Sequence, residues 1–245
     1  MEEQFGQRVS DYCVLFNIKN YTINDDESID VDGDVDFSGI HIESFPIKFN
    51  KINGNFISYK NKLTSLKNGP KEITGYFDLG FNNLTSLEGS PISVGRGFNC
   101  DGNNLTDLKG SPKLVGGDFM CNDNKLTSLE SSLEKIGGSF NCSNNKLTSL
   151  KFSPMSVDGD FNCSSNKIND LEGFSKWIGG RLYCSSTDIE CMLNNADIEF
   201  IMAFNTFKVL KDGVVNLKRL KYVLGIFNKP IYLREIEKNY TIKWQ

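Results

Sequence analysis

The chain has 245 residues, 39 % of them hydrophobic and 24 % charged, and a formal net charge of −4. This balance predicts one or two compact units with a core and excludes a disordered polymer, and no apolar run approaches the roughly 18 to 20 residues that a membrane span needs. Acids dominate residues 1–36, 10 against 2 bases, and bases dominate residues 206–245, 9 against 3 acids, so the broadly basic surface typical of nucleic-acid binding is missing from most of the chain.

The stretch from Met1 to Phe16 carries Glu2, Glu3 and Arg8 where a secretory leader has a basic tip and an apolar run, which predicts a cytoplasmic protein. Residues 1–36 are expected to form an acidic N-terminal cap. In Ile29-Asp30-Val31-Asp32-Gly33-Asp34-Val35-Asp36 apolar residues alternate with carboxylates, the pattern of one strand with a buried and a wet face. The rival is a calcium loop, but an EF-hand has Gly at its sixth position and Glu at its twelfth, and counting from Asp30 gives Val35 and His41.

Residues 37–189 are repetitive. Phe56, Phe77, Phe98, Phe119, Phe140, Phe161 and Leu182 are separated by six consecutive intervals of 21 residues, with an earlier, shorter copy expected from Phe37. Such a period is the signature of a stacked array. Numbered from its Phe, each copy follows F-x-C-x-x-N-x-L-T-x-L-x-x-S-P-x-x-V-G-G-x. Positions 1 and 3 alternate with polar neighbours and predict a short strand, so the stacked copies make a parallel sheet. The recurring Asn at position 6 (Asn61, Asn82, Asn103, Asn124, Asn145, Asn166) both donates and accepts, and can satisfy loop groups of adjacent copies. Positions 8, 11 and 18 add three apolar columns. Pro70, Pro91, Pro112 and Pro154 mark an extended return limb, with no room for a full helix.

Residues 190–245 lose the period and are expected to form a small α+β C-terminal cap. Glu199 to Leu210 leans towards strand, Lys211-Asp212-Gly213 reads as a turn, and Asn216 can cap a helix bearing Leu217, Leu220, Val223, Leu224 and Phe227. Lys208, Lys211, Lys218, Arg219, Lys221 and Lys229 make this cap basic.

No catalytic or cofactor pattern emerges. His41 is the single histidine, which leaves a His-assisted nucleophile without support. The cysteines at position 3 (Cys100, Cys121, Cys142, Cys163, Cys184) stack about 4.8 Å apart along a line, whereas zinc requires four ligands at the corners of a tetrahedron. They read as reduced, buried hydrophobes. The V-G-G turns lack the G-K-S/T ending of a phosphate loop. The expectation is a non-enzyme with no cofactor, no metal and no small-molecule substrate.

The segment N-x-L-T-S-L, as in Asn61 to Leu66 and Asn145 to Leu150, resembles the short bacterial type of leucine-rich repeat, with Phe and Cys replacing Leu in the strand. This likeness covers about residues 37–189 and implies a mainly β leucine-rich-repeat solenoid of about eight copies. The run from Ile29 to Val35 leading into repeats with C-x-x-N-x-L-T-S-L and V-G-G-D is similar to repeat proteins encoded by large tailed bacteriophages. That origin implies a host-cell cytoplasmic setting and a host protein as partner, for example a component of a bacterial defence system, bound and inhibited.

Positions 21, 2 and 4 are expected to face outward along the sheet and to vary freely. Ile57, Tyr59, Tyr76 and Phe81 gather near the N-terminal end, Met120 lies further along, and Arg181 and Tyr183 stand at the far end. Such side chains concentrate binding energy. Asp78, Asp101 and Asp118 should repel phosphate backbones and favour a neutral or basic protein patch. The function expected is a protein-binding scaffold. Nucleic-acid association through the basic C-terminal cap is the second reading, and a structural role in a particle the third.

Overall fold

The computed structural model describes residues 2–131, 133–169, 174–175, 177–185, 210–211, 214–216, 219–220 and 241–243. The chain opens with helix α1 (Glu2–Leu15), followed by β1 (Tyr21–Ile23), β2 (Ser28–Val31) and β3 (Val35–Asp36). From there it coils through a parallel solenoid of about seven turns of 21 residues.

Two sheets run the length of the coil rather than one. The front sheet has eight two-residue strands, one at positions 1 and 2 of every copy, from β3 to Leu182–Tyr183. Each pairs in exact register with the same positions 21 residues away, Phe77 with Phe98 and Phe98 with Phe119. The rear sheet has nine strands: β1, antiparallel to β2, then β2, Lys48–Ile52, and positions 17 and 18 of each later copy as far as Trp177–Ile178. A third row of backbone bonds lies between them, where the position 7 N–H donates to the position 8 carbonyl of the preceding turn: Lys125 to Leu105 (2.9 Å), Lys146 to Leu126 (2.9 Å), Lys167 to Leu147 (2.8 Å). Each turn is therefore three-sided, and hydrogen bonds along the axis tie each side to the next turn.

The first copy begins two residues earlier than its Phe indicates. Val35 pairs with Phe56, so Phe37 occupies position 3 and the copy has its full 21 residues. The stretch expected as one capping strand is two, β2 in the rear sheet and β3 in the front, joined through Gly33 (φ 148°). Capping falls to other elements. β1 closes the rear sheet as an antiparallel edge, and α1 buries Val9 and Cys13, while Phe16 meets Phe37 edge-on at 5.1 Å. Val9 and Cys13, four residues apart, share one face of α1, and Phe16 follows directly after its last residue.

Inside, position 1 forms an aromatic stack. Successive rings from Phe56 to Phe161 stand 5.0 to 5.7 Å apart, all essentially unexposed. The Asn column works as a ladder: Asn124 Nδ2 donates to the carbonyls of Cys100 (2.9 Å), Cys121 (3.2 Å) and Asn122 (3.2 Å), and its Oδ1 accepts the Leu105 N–H (3.0 Å). The thiols of Cys100, Cys121, Cys142 and Cys163 are buried and their pKa values are raised, chiefly by desolvation. Cys100 Sγ lies 3.4 Å from the Met120 carbonyl oxygen of the next turn. At position 19 a Cβ on Gly116 would overlap the carbonyl oxygen of Gly95, which explains a residue without one at this close approach.

In the C-terminal region, Leu210–Lys211 pairs antiparallel with Val214–Asn216, across the turn expected at 211–213, and Val214–Asn216 pairs in parallel with Thr241–Lys243. Arg219 and Leu220 are helical. The remainder of the helix expected after Asn216 and the strand expected from Glu199 lie outside the described residues. Among the described residues no helix is long and apolar enough to cross a membrane.

Candidate interaction surface

The outer side of the front sheet carries the residues that the repeat singled out. Three aromatic rings there share one device. Tyr59 leans on Gly80, Tyr76 on Gly97 and Phe81 on Gly102, in each case the residue 21 positions on, and a Cβ on those glycines would come within 3.1, 2.9 and 2.9 Å of the respective rings. Each ring is thus seated on bare backbone of the following turn while keeping a face in water. Tyr76 and Phe81 are 49 % and 47 % exposed. Tyr59 and Phe81 touch edge to face at 5.5 Å, the Lys60 ammonium stands 5.2 Å from the Tyr59 ring centre, and the Arg96 guanidinium 5.9 Å from that of Tyr76.

Phe81 has a backbone cost as well. Position 5 is left-handed in each of the seven turns where it is described, with Gly39, Lys60, Gly102, Asp123, Asn144 and Ser165 also at positive φ, and Phe81 has φ 55°. Left-handed backbone costs an L-residue on the order of 1 kcal/mol. Phe81 neither fills the core nor suits its backbone, so its ring is carried at some expense.

Ile57 and Met120 lie half-buried at position 2, one strand from Asp78 and Asn141 respectively. Arg181 and Tyr183 are exposed on the last described turn, with Tyr183 at 39 %. The structure brings Tyr59 and Phe81 into contact and leaves Met120, Arg181 and Tyr183 separate, two to six turns along.

The outward columns are less free than the repeat implies. At position 2, Asp78 Oδ1 accepts the Gly80 N–H (2.9 Å) and the Asn99 amide (3.0 Å), Asn99 Oδ1 accepts the Asp101 N–H (3.0 Å), and Asn141 and Asn162 do the same for Ser143 and Ser164. A side-chain oxygen bonding the N–H two residues on ends the strand after two residues. At position 21, Asp118 Oδ1 accepts the Ser139 N–H and Asp160 Oδ1 the Arg181 N–H, both at 2.7 Å. These acids hold the coil together as well as colouring its surface.

Asp78 and Asp101 are both pushed towards the protonated form. Burial is the main cause for each, and neighbouring acids add to it: Asp36 for Asp78, and Asp78 and Asp123 for Asp101. Asp101 Oδ1 is buried without a hydrogen-bond partner, close to where a Gly80 side chain would be. The aromatic group therefore sits beside a negative, partly desolvated edge.

Exposed apolar residues also lie outside the outward columns of the front sheet. Leu114 and Trp177 lie in strands of the rear sheet and Ile92 and Met155 immediately before two others, all 49 to 73 % exposed, and Ile92 and Leu114 wall a groove of about 790 Å³ with Gly95 and Gly116 beside them. Phe152 is 52 % exposed with φ 68°, at a position where other turns carry Asn68, Gly89 and Gly110. An aromatic residue among Asn and Gly at a fixed repeat position was the signal available.

A coil of identical parallel turns with short strands on two sides and a half-exposed aromatic group defines a repeat β-solenoid scaffold. Compared with protein-family models, with curated proteins and with solved structures, the chain matches none.

Proposed function

We propose that the chain is a non-enzymatic scaffold that binds a partner protein on the front sheet, with Tyr59, Tyr76 and Phe81 as anchors. The observation that carries this reading is the seating of all three rings on glycines of the next turn. Large side chains held rigidly with one face wet lose little entropy on binding, which is what an interface anchor requires. Asp78, Asp101 and Asp118 around them favour a neutral or basic patch on the partner. The resemblance to bacteriophage repeat proteins extends the proposal to a host protein, with inhibition of a bacterial defence component as the biological role.

The test is capture of a nuclease-resistant protein from bacterial lysate, followed by binding measurements with the purified partner. Tyr59→Ala combined with Tyr76→Ala should weaken that complex by at least about 2 kcal/mol, roughly 30-fold, with little change in melting temperature. Unchanged affinity in the double variant, alongside loss on deleting residues 206–245, would move the site to the C-terminal cap.

A further inference from the structure

The third side of the coil, formed by positions 7 to 10, stacks like charges where two other columns stack opposite ones. At positions 12 and 17 the charges of successive turns alternate in sign. Position 12 reads Lys67, Glu88, Lys109, Glu130, Lys151 in successive turns, with Lys109 Nζ 3.1 Å from Glu130, and Lys51 stands 3.7 Å from Glu72 of the adjacent turn. At position 7, by contrast, Lys125, Lys146 and Lys167 occupy three consecutive turns. All three are exposed, and among the described residues none has an ion pair.

Stacked residues are about 4.8 Å apart, inside a Debye length of about 8 Å at physiological salt. The three ammonium groups thus reinforce one potential, and among the described residues no carboxylate is paired with them. Two residues on from Lys125 and Lys146 are Thr127 and Thr148, also exposed. Alternation along an extended segment points them the same way as the lysines. Among the described residues the acids on this side, Glu43 and Asp107, belong to earlier turns, and no apolar side chain occurs at positions 7, 9 or 10.

We propose that this Lys and Thr stripe is a contact surface for the phosphodiester backbone of nucleic acid, engaged without regard to base sequence. Ammonium and hydroxyl groups are the usual donors to phosphate oxygens. A protein partner would need apolar or aromatic anchors, which this side lacks and the front sheet has. The surface is separate from the front sheet and does not depend on what that sheet binds. The acids that weigh against nucleic acid there, Asp78, Asp101 and Asp118, lie at positions 2, 4 and 21.

The experiment is fluorescence anisotropy of the full chain with a labelled, mixed-sequence 20-nucleotide single-stranded DNA at two salt concentrations. Three phosphate contacts at a slope of about −0.7 each predict that affinity falls about 18-fold between 50 and 200 mM salt. The test variant is Lys125→Asn, Lys146→Asn and Lys167→Asn together. Asn already stands at position 7 in two turns, as Asn83 and Asn104, so the coil accepts it. The control removes the same charge from the alternating column, Lys67→Gln, Lys109→Gln and Lys151→Gln. The expected result is at least a tenfold loss of affinity and a flattened salt dependence in the Asn variant, with the control within about twofold of the parent. Equal losses in both variants, or no binding by the parent at 50 mM salt, would overturn the proposal. Displacement of the DNA by polyglutamate at matched charge would assign the stripe to an acidic protein instead.

Discussion

Replacing Asn124 with Leu tests the bond inventory of the ladder. Asn124 makes four hydrogen bonds, but their loss is unequal. The Cys100 carbonyl keeps a donor from Asn103 (3.2 Å), the Cys121 carbonyl keeps Asn145 (3.0 Å), and the Asn122 carbonyl keeps the Gly102 N–H (3.1 Å). Only the buried Leu105 N–H loses its partner outright. One buried, unsatisfied donor costs about 1 to 3 kcal/mol, and 2 kcal/mol raises the unfolded fraction about 30-fold. Asn124→Asp should cost more, because it keeps the acceptor for Leu105 but sets a carboxylate against carbonyl oxygens. Urea unfolding gives the stabilities, and amide hydrogen exchange reads Leu105 directly. If the Leu105 amide stays as protected in the Leu variant as in the parent, and stability shifts by less than about 0.5 kcal/mol, the ladder is not what satisfies the loops.

Other outcomes follow from the same contacts. Cys100, Cys121, Cys142 and Cys163 are buried with raised pKa values, so a thiol reagent at neutral pH should leave them unmodified in the folded chain and label them in urea, as read by mass spectrometry. Cys142→Ala should cost roughly 1 to 2 kcal/mol without affecting partner binding. Gly116→Ala should destabilise by more than about 2 kcal/mol in thermal unfolding, since its Cβ meets the Gly95 backbone, which cannot move without its own turn. For Asp78, the folded-state pKa is raised, so its favourable contribution is complete below the unfolded pKa and is lost as pH rises through the folded value. Asp78→Asn keeps the acceptor for Gly80, as Asn99 does for Asp101, and should therefore stabilise at neutral pH, the gain disappearing as the parent's carboxylate protonates.

The period, the aromatic column and the Asn ladder were readable because each turn repeats the same demands on the same residue type. Register at the first turn was not, because position 1 asks only for a buried apolar side chain and Val35 meets it, whereas the alignment followed Phe37 by its aromatic identity. The rear sheet was hidden for a different reason. Each of its repeat strands is two residues long, with one inward side chain such as Val115 before the glycines, too short for alternation to register. On the candidate surface, Tyr59 and Tyr76 are visible as large residues in outward columns, with Phe81 beside them at position 5, but their seats exist only once stacking sets each ring against the glycine 21 residues on. The role of Asp and Asn at position 2 was legible in principle, since a carboxylate or amide two residues before Gly or Ser is a common local hydrogen-bonding unit.

Because each turn bonds only to its neighbours in both sheets, distance along this molecule comes in whole steps. The Tyr59 end and the Tyr183 end are six turns apart, about 29 Å at 4.8 Å per turn. Deleting any 21 consecutive residues from the middle of the array would bring them closer by one step and leave every column intact. Deleting 20 would throw the Phe column out of line. A partner that grips both ends therefore reads a ruler with fixed graduations, and a chain lengthened or shortened by one turn would present the same groups to a different target.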